Sequence, residues 1–259
     1  MTALVKKLLL IALIITFSAN LASAETVRVA FAAEPYPPFT SPDASGNWVG
    51  WEVEMIEAVC AEAKLECVLA PTAWDGIIPA LMSKKVDMIM GSLSITEARE
   101  EMIDFSIPYF KPDAVVVGTK REKFDPTPEG LKGKLLGVQT ATTHAAYAEK
   151  YFKDATVKQY QTQDEINQDL VSGRIDATQA DAPAMTEFME SKEGQACCEI
   201  KGEVAYDQAI LGRGVGVAVR KGDDPLREKI NAAIKGTRAS GKYQELSMKY
   251  FGMDVYGGE

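Results

Sequence analysis

One arginine, Arg99, lies in an otherwise acidic segment, GSLSITEARE, which spans residues 91–100. Ser94 and Glu97 have the spacing of a capping box, which predicts a short helix beginning after Ser94. At about 100° per residue, the acidic side chains share one face of that helix, and they are Glu97, Glu100, Glu101 and Asp104. Arg99 points almost opposite to them, towards apolar neighbours, namely Ile95, Met102 and Ile103. None of the four acids is therefore expected to pair with Arg99 along the helix.

An arginine on the apolar face of a helix needs an anion from another part of the molecule. Arg99 could form a structural salt bridge with a distant acid, or extend its guanidinium into solvent at the helix end. It could instead bind the anionic group of a ligand, together with the free N–H groups at the start of the helix. A carboxylate fits both kinds of donor, so Arg99 is a candidate carboxylate-binding residue.

A second candidate, Asp181, is related to the first segment by an internal repeat. Residues 74–87 and 163–176 align without gaps at a separation of 89, with five identities in fourteen positions. The repeat indicates two lobes of similar plan, in which Ser92 and Asp181 both follow the third strand. Ligands of open α/β sheets bind beyond the carboxyl ends of the strands, which favours Asp181 as a cleft residue. Asp181 also precedes an Ala-Pro pair, which is typical of a helix N-cap, and that interpretation stays open.

The segments around these residues alternate between strand and helix patterns. Strands are predicted at 26–31, 67–73, 86–90, 133–139, 155–160 and 174–179. Helices are predicted within 49–65, at 74–85 with a Thr72–Asp75 cap, and at 142–152, 163–173, 224–234 and 242–252. This alternation indicates an α/β fold, with a largely parallel sheet covered by helices.

The first 24 residues are predicted to be a secretory signal peptide. Two lysines precede a ten-residue apolar core at 8–17, which is too short to span a bilayer, and ASA at 22–24 fits a cleavage site. Cleavage after Ala24 would leave 235 of the 259 residues. Glu25 would then be the first residue, where a bacterial lipid anchor would require cysteine. A mature protein located outside the cytoplasm is expected.

The composition excludes two classes of partner. The chain has 46% hydrophobic and 25% charged residues, which is typical of a soluble globular protein. Its net charge of −9 becomes −11 once the two lysines of the signal peptide are removed. Nucleic acids and anionic membrane surfaces both require basic patches, so neither is an expected partner.

The four cysteines fall into two groups. Cys60 and Cys67 are seven residues apart and are expected to form a disulfide that ties a helix end to the next strand. Zinc binding is the alternative, but the mature chain has one histidine and no CxxC motif. Cys197 and Cys198 are adjacent, and a vicinal disulfide, two thiols and an intermolecular bond all stay open.

Common signatures of catalysis are missing from the sequence. It has no GxSxG and no HExxH motif. The segment GRGVGVA at 212–218 lacks the third glycine of a dinucleotide-binding loop, because Val217 occupies that position. We therefore predict no catalytic residues, no metal and no cofactor.

Seven motifs are spread over the mature chain, namely EPYPPF (34–39), VGWEVEMIEAVC (49–60), WDGIIPAL (74–81), GSLSITEAR (91–99), DFSIPYF (104–110), GVQTATTHAAY (137–147) and GRIDATQAD (173–181). Together they resemble the periplasmic amino-acid binding proteins of ABC transporters, which are type II periplasmic binding proteins. Within that group the sequence is most similar to the lysine/arginine/ornithine, histidine and opine binders. The serine-rich motif that leads to Arg99, with the spacing of Cys60 and Cys67, makes the resemblance specific.

The resemblance implies two α/β lobes, each a mixed, mostly parallel sheet flanked by helices, joined by a two-strand hinge. Lobe 1 would contain residues 25–111 and 209–259, and lobe 2 would contain residues 112–208. The chain would cross between them near residues 109–116 and 205–214. The ligand would lie in the cleft, and closure about the hinge would bury it.

The resemblance also implies how the two ends of an α-amino acid would be held. Arg99 would bind the α-carboxylate, helped by the backbone N–H groups of Ser94 and Thr143. Asp181 would bind the α-ammonium, with Ser92 as a further acceptor. The equivalence of Ser92 and Asp181 in the internal repeat agrees with this assignment.

Further residues would contact the ligand side chain. Tyr36 and Trp74 would sandwich it, although core packing is the commoner role of aromatic residues. Glu34 would bind a distal positive group, but one residue separates it from Tyr36 where the family usually has two. Gly91 stands where serine is common, which would free space and admit a larger ligand. Gln139 replaces an apolar residue.

The one histidine of the chain, His144, takes a position that glutamine often holds in the family. It would contact the ligand, or it would be an exposed residue in the first turn of a helix. The full set of predicted ligand-binding residues is Glu34, Tyr36, Trp74, Gly91, Ser92, Ser94, Arg99, Gln139, Thr142, Thr143, His144 and Asp181.

Three functions follow from the resemblance. The first is a monomeric periplasmic binding protein that captures a cationic amino acid or an opine and delivers it to the permease of an ABC importer. The second is an enzyme similar to the cyclohexadienyl dehydratases, which share this scaffold, with Glu34 or Asp181 as general acid. The third is the soluble sensor of a signalling receptor.

Overall fold

Two five-stranded sheets and a two-stranded ribbon form the framework of the computed structural model, which describes residues 26–256. The predicted signal peptide lies outside the described residues. The strands are β1 Thr26–Ala32, β2 Ser41–Pro42, β3 Trp48–Val49, β4 Glu66–Thr72, β5 Met88–Ile89, β6 Ile103–Phe110, β7 Ala114–Thr119, β8 Leu135–Gln139, β9 Thr156–Tyr160, β10 Ala177–Asp181, β11 Cys198–Glu203 and β12 Val215–Arg220.

Helices flank the sheets and connect most of the strands. They are α1 Trp51–Ala63, α2 Ile77–Met82, α3 Glu97–Glu100, α4 Thr143–Tyr151, α5 Gln163–Val171, α6 Ala182–Glu190, α7 Lys192–Cys197, α8 Gln208–Leu211, α9 Asp224–Ala239 and α10 Lys242–Phe251. Over residues 26–256, none of them has both the length and the hydrophobicity that crossing a bilayer requires. The predicted mixed α/β class is confirmed.

The two large sheets have the same plan. The first has the order β4-β1-β5-β12-β6, and the second, taken from the equivalent edge, has the order β9-β8-β10-β7-β11. In each sheet the first three strands are parallel, and the fourth is antiparallel to both of its neighbours. The repeat that the sequence indicated is therefore confirmed. β5 and β10 occupy equivalent positions, so Ser92 and Asp181 emerge at equivalent edges of the two sheets.

The chain changes sheet twice within the described residues. It passes from β6 to β7 through residues 111–113, and it returns from β11 to β12 through residues 204–214. Both passages coincide with the predicted crossings. The two-lobed, two-crossing architecture is confirmed, while the residue limits assigned to each lobe stay a prediction.

An aromatic cluster anchors the start of α1 beneath the first sheet. Trp51 is fully buried, and its ring centroid lies 5.3 Å from that of Phe110 and 6.0 Å from those of Phe39 and Tyr109. Phe39 also stacks on Tyr36 at 5.6 Å. Burial of these large rings fixes the first turn of α1 and the loop that carries Tyr36.

The helix predicted at 74–85 begins differently and is shorter. It opens as a 3₁₀ turn over Trp74–Gly76 and continues as α2, with no side-chain cap at either start. The Thr72 hydroxyl donates to the carbonyl of Ala70 at 2.9 Å, so the predicted Thr72–Asp75 cap is wrong. The carboxylate of Glu34 instead accepts a hydrogen bond from the N–H of Trp74 at 3.1 Å. A distant residue thus satisfies one of the free N–H groups at this helix start, where a local cap was predicted.

The helix that carries Arg99 also begins later than predicted. Thr96, and not Ser94, is its N-cap, and the Thr96 hydroxyl accepts from the N–H of Arg99 at 3.3 Å. Ser94 forms an antiparallel bridge with Val215, and the N–H of Ile95 donates to the carbonyl of Gly214 at 2.8 Å. This pairing with the returning chain keeps residues 94–95 extended, so helical geometry starts only after them.

Both cysteine pairs form disulfides. Cys60, near the end of α1, is bonded to Cys67 in β4, with 6.1 Å between their Cα atoms, as the sequence predicted. Of the three states left open for Cys197 and Cys198, the structure has the vicinal disulfide. These bonds account for all cysteines of the chain.

Removing the first disulfide is expected to destabilise the protein measurably. The bond closes a loop of sequence separation 7, for which the chain-entropy account gives about 2–3 kcal/mol of unfolding free energy. The double variant C60A/C67A should therefore unfold at a lower urea concentration, with an m-value no lower than that of the parent, because its unfolded state is less constrained. An unchanged unfolding midpoint would contradict the stabilising role of this bond.

Candidate ligand-binding cleft

One cavity brings the predicted ligand-binding residues together. All twelve of them line it, and they come from loops and helix starts at the strand ends of both sheets. Five further lining residues were not predicted, namely Ala32, Pro35, Thr40, Glu52 and Gln163. The two halves of the chain therefore contribute to a single site, as the internal repeat suggested.

Within residues 26–256, the hydrogen-bond partners of the Arg99 guanidinium are backbone carbonyls and none of them is an acid. Its Nη1 donates to the carbonyl of Ser94 at 2.9 Å, and its Nη2 donates to the carbonyl of Ala141 at 3.3 Å. Its guanidinium carbon lies 5.9 Å from the ring centroid of Trp74. Burial lowers the pKa of Arg99 to about 10, and the charge of Asp181 opposes that fall. The two alternatives to ligand binding, a structural salt bridge and extension of the guanidinium into solvent, therefore do not describe Arg99.

Asp181 belongs to the opposite sheet and faces the same cavity. It occupies the N-cap position of α6, but its side chain makes no capping hydrogen bond. Its Oδ2 accepts from the hydroxyl of Tyr36 at 3.0 Å, and its Oδ1 lies 3.2 Å from Nε2 of His144. The carboxylate is therefore directed into the cleft, which decides between the two interpretations that the sequence left open. Burial and the charge of Asp181 raise the pKa of Tyr36 well above its ordinary value, so its hydroxyl keeps its proton.

His144 lies in the first turn of α4, but it is not exposed. Only 7% of its surface is accessible, and its Nδ1 is 3.5 Å from Nε2 of Gln179. The interpretation of His144 as a solvent-exposed residue is wrong, because α4 packs this turn against β10. His144 thus orients Asp181 from within the cavity wall.

Ser92 has a backbone conformation that is unusual for a residue with a side chain. Its φ is +51°, in the left-handed region. Its N–H donates to Oε1 of Glu52 at 2.8 Å, and its Oγ is 3.1 Å from Oε2 of the same carboxylate. Glu52 therefore holds both the backbone and the hydroxyl of Ser92 at the cavity surface.

Gly91 lines the cavity, but the space beside its Cα is not free. A Cβ added there would lie 2.8 Å from the Cα of Phe31 and 3.1 Å from its Cβ. Because β1 passes so close, the missing side chain permits strand packing. The larger binding volume that the sequence suggested for Gly91 has no support in this geometry.

Two polar residues between the end of β8 and the start of α4 have local side-chain partners, namely Gln139 and Thr142. The Thr142 hydroxyl donates to the carbonyl of Gln139 at 2.7 Å and accepts from the N–H of Ala145 at 3.1 Å, as an N-cap. The Gln139 side chain donates to the carbonyl of Gln161 at 3.0 Å. Thr143 begins the helix at the cavity surface. The side chains of Thr142 and Gln139 thus shape the cavity wall, while the helix start faces the cleft.

The sequence was compared with protein-family models. Residues 27–253 match the model of the bacterial extracellular solute-binding proteins, family 3. The chain belongs to this family. The match spans nearly all of the described residues, so both sheets and both crossings are part of it.

Named members of the family are similar over almost the whole chain. The histidine-binding periplasmic protein of Escherichia coli (strain K12) is 36% identical, over 98% of this chain and 100% of its own length. The L-arginine-binding protein of Pseudomonas aeruginosa is 38% identical, over 93% of this chain and 92% of its own. A solved Salmonella typhimurium periplasmic binding protein with high arginine specificity has a TM-score of 0.80 at 31% identity, covering 88% of this chain and 100% of that one.

As a solute-binding protein of family 3, the chain presents a cavity with separated charges. Arg99 supplies the positive charge on the side of the first sheet, where Glu34 and Glu52 also lie, and Asp181 supplies a negative charge on the side of the second sheet. This arrangement fits a zwitterion, whose carboxylate and ammonium need partners of opposite sign.

Glu52 is an acid that lines the cavity and that the sequence did not lead us to predict. The signal was present, because Met55, Ile56 and Val59 follow Glu52 at i+3, i+4 and i+7 and are all buried. An acid on the apolar face of α1 needs donors from elsewhere, by the same argument that singled out Arg99.

Proposed function

We propose that the protein is a periplasmic binding protein that captures a basic amino acid or an opine and delivers it to an ABC importer. The observation that carries the proposal is the half-buried guanidinium of Arg99, whose hydrogen bonds within residues 26–256 go to carbonyl oxygens and which lies beside the ring of Trp74. A ligand carboxylate would supply the missing anion. The histidine- and arginine-binding relatives described above support this class of ligand.

The ligand would favour closure of the cleft by contacting both lobes. Arg99 follows β5 of the first sheet, yet its Nη2 reaches the carbonyl of Ala141 near β8 of the second sheet. Tyr36, in the loop that follows β1 of the first sheet, donates to Asp181 at the end of β10 in the second. A zwitterion between Arg99 and Asp181 would add two charge-assisted contacts across the same boundary. It would thus bind the closed conformation better than the open one, and the permease would recognise that closed form.

A third charge in the cleft favours a basic ligand side chain. Oε2 of Glu34 accepts from the N–H of Trp74, which fixes the carboxylate at the cavity surface. The rings of Tyr36 and Trp74 also line the cavity. Together these groups would hold an aliphatic stem that ends in a guanidinium or an ammonium.

The variant E34Q is expected to discriminate between charged and neutral ligands. The amide still accepts from Trp74 but no longer attracts a cation, so affinity for L-arginine or L-lysine should fall about 10-fold. Affinity for neutral L-glutamine, measured by calorimetry on the same preparations, should change little. Equal losses for arginine and glutamine would show that Glu34 has only a structural role.

A thermal-shift screen tests the proposed function. A ligand that binds only the native state at 100 times its Kd adds about 2.7 kcal/mol to the unfolding free energy. We expect L-arginine, L-lysine, L-ornithine, L-histidine or an opine to raise the Tm, and the corresponding α-carboxamides to have no effect. A Tm raised equally by acids and amides, or by none of these compounds, would overturn the proposal.

We also propose that the protein performs no chemistry on its ligand and works as a monomer in the periplasm, where a cleavable signal peptide would direct it. The histidine- and arginine-binding relatives named above are binding proteins, which supports the first point. Incubation with arogenate and prephenate tests it directly. Turnover that is lost in E34Q or D181N would establish the dehydratase function instead.

A further inference from the structure

Glu52 is a buried acid behind the cavity surface, with 1% of its surface accessible. Three donors converge on its carboxylate. Oε1 accepts from the N–H of Ser92 at 2.8 Å and from the hydroxyl of Tyr109, and Oε2 is 3.1 Å from Oγ of Ser92. Every one of these partners is a neutral group, so the negative charge has no counter-ion in the described part of the chain.

The protonation of this cluster follows from its geometry. A backbone N–H can only donate, and burial raises the pKa of Tyr109 well above its ordinary value, so its phenol keeps a proton to donate. Burial and, to a smaller extent, the charge of Asp181 raise the pKa of Glu52 above its ordinary value, and the hydrogen bonds from Tyr109 and Ser92 limit that rise. A carboxylate that accepts three hydrogen bonds is stabilised in its ionised form.

The state of Glu52 determines what Ser92 can offer to a ligand. A serine hydroxyl has a single hydrogen, and an ionised carboxylate can only accept. The Ser92 hydroxyl therefore donates its hydrogen to Oε2 of Glu52, away from the cavity. The lone pairs of its oxygen remain as acceptors on the cavity side, where Ser92 is a lining residue.

We propose that Glu52 is a positioning residue that turns Ser92 Oγ into an obligate hydrogen-bond acceptor and thereby selects ligands with an α-ammonium over the corresponding 2-hydroxy acids. This inference rests on the proposed amino-acid-binding function and deepens it. An ammonium has only donors and matches the acceptor that Ser92 presents. The ligand ammonium, the Ser92 hydroxyl and the Glu52 carboxylate would form a series of two hydrogen bonds. The opposite charges at its two ends polarise the hydroxyl, which strengthens each hydrogen bond. A ligand hydroxyl gains less, because it lacks the positive charge.

The left-handed backbone of Ser92 fits the same role. A non-glycine residue at φ +51° is disfavoured and needs support from its surroundings. The hydrogen bond from the Ser92 N–H to Glu52 supplies that support, so one carboxylate fixes both the peptide and the hydroxyl. Because Ser92 and Asp181 follow equivalent strands of the two sheets, their acceptors would approach the ammonium from opposite walls of the cleft.

The variant E52Q tests the proposal, because glutamine has the shape of the protonated acid and an N–H₂ group that donates. Donation from that amide to Oγ would turn the Ser92 hydrogen towards the cavity. Calorimetry should use L-arginine, L-lysine and L-histidine with their 2-hydroxy analogues. E52Q is expected to weaken binding of the amino acid that the parent binds best by about 10- to 100-fold. The affinity for its 2-hydroxy analogue should remain within about 3-fold, within the usual scatter of such effects.

The matched control is E54Q, which makes the same chemical change two residues away. Glu54 points out of the cleft, where it accepts from Lys249 and Tyr250, both at 2.6 Å. E54Q should leave the ratio of the amino-acid and hydroxy-acid affinities unchanged. In the double variant E52Q/S92A, the substitution at position 52 should cause no loss beyond that of S92A. If E52Q does not fold, S92A tests the proposal by itself. It must then reduce the affinity for the amino acid relative to that for its 2-hydroxy analogue.

Several results would overturn the inference. Wild-type affinity in E52Q would mean that Glu52 is already protonated and that Ser92 already donates to the cavity. Equal losses for the amino acid and the hydroxy acid, or additive losses in E52Q/S92A, would mean that Glu52 only supports the fold. If the parent binds amino acids and S92A binds them equally well, this inference fails but the proposed function stands. If the parent binds no amino acid, the proposed function fails as well.

Discussion

Replacing Arg99 with alanine is expected to weaken binding of every ligand that has a free α-carboxylate by about 150- to 5,000-fold. The expectation follows from about 3–5 kcal/mol for removing one partner of a buried charge pair. Arg99 is half-buried, and burial lowers its pKa to about 10, well above neutral pH, so it carries its charge. Isothermal titration calorimetry with L-arginine or L-histidine measures the loss.

Two further variants make this experiment decisive. R99K keeps the charge but not the planar pair of donors, and we expect it to recover only part of the affinity. R174A removes an arginine that is paired with Asp169 on the surface of the second lobe, with Nε 2.6 Å from Oδ1. R174A should bind as the parent does. Equal affinity in R99A and R174A would exclude Arg99 as the carboxylate-binding residue.

The ligand-free R99A variant should remain folded. Its lost hydrogen bonds go to two backbone carbonyls, those of Ser94 and Ala141, and no acid of the described part of the chain lies within hydrogen-bond distance of the removed cation. We therefore expect the Tm of the ligand-free protein to change little while the ligand-induced rise in Tm is lost. A large fall in Tm without ligand would identify Arg99 as a structural residue.

Replacing Asp181 with asparagine is the second change with a large expected effect. The amide oxygen can still accept from Tyr36, so the wall of the cavity should keep its shape. The negative charge that faces the ligand ammonium is lost. Affinity for amino acids should fall about 100-fold or more, because an ammonium would be buried against a neutral group. Calorimetry checks this loss, with circular dichroism to confirm the fold.

The control for this variant is D154N, which changes an exposed aspartate 3.5 Å from Lys132 on the same half of the chain. D154N should bind amino acids as the parent does. D181N should also affect ligands without an α-ammonium much less than amino acids. Loss of affinity that is independent of the ammonium would mean that Asp181 acts only through Tyr36 and His144.

Much of the fold could be predicted from the sequence because the information is local. Strand and helix periods are set by which residues are apolar, and the repeat of residues 74–87 at 163–176 indicated the common plan of the sheets. The disulfide between Cys60 and Cys67 was also readable from their spacing. The helix starts near Thr72 and Ser94 were predicted wrongly, because distant groups, Glu34 and the returning strand at Val215, replace the local caps.

The residues of the site also fall into those that local sequence could identify and those that only distant contacts decided. The position of Arg99 on an apolar helix face showed that this arginine needed a remote anion, and the same argument applied to Glu52 would have found the second buried charge. Periodicity alone did not reveal where the side chain of Asp181 points, since a cap and a cleft residue have the same local sequence. The sequence also left open whether His144 is exposed or faces the cleft, because its burial depends on packing against a neighbouring strand.

The sequence by itself determined the α/β class, the two similar halves, the cysteine pairing in the first half and the candidacy of Arg99, Ser92 and Asp181, while the family resemblance implied the other site residues. These depend on residue type and spacing along the chain. Only the tertiary structure decided that Asp181 turns to Tyr36 and His144, that Gly91 serves strand packing, and that Glu52 accepts hydrogen bonds from Ser92. The reason is physical: each buried polar group must find a partner, and that partner is selected by the packing of distant segments.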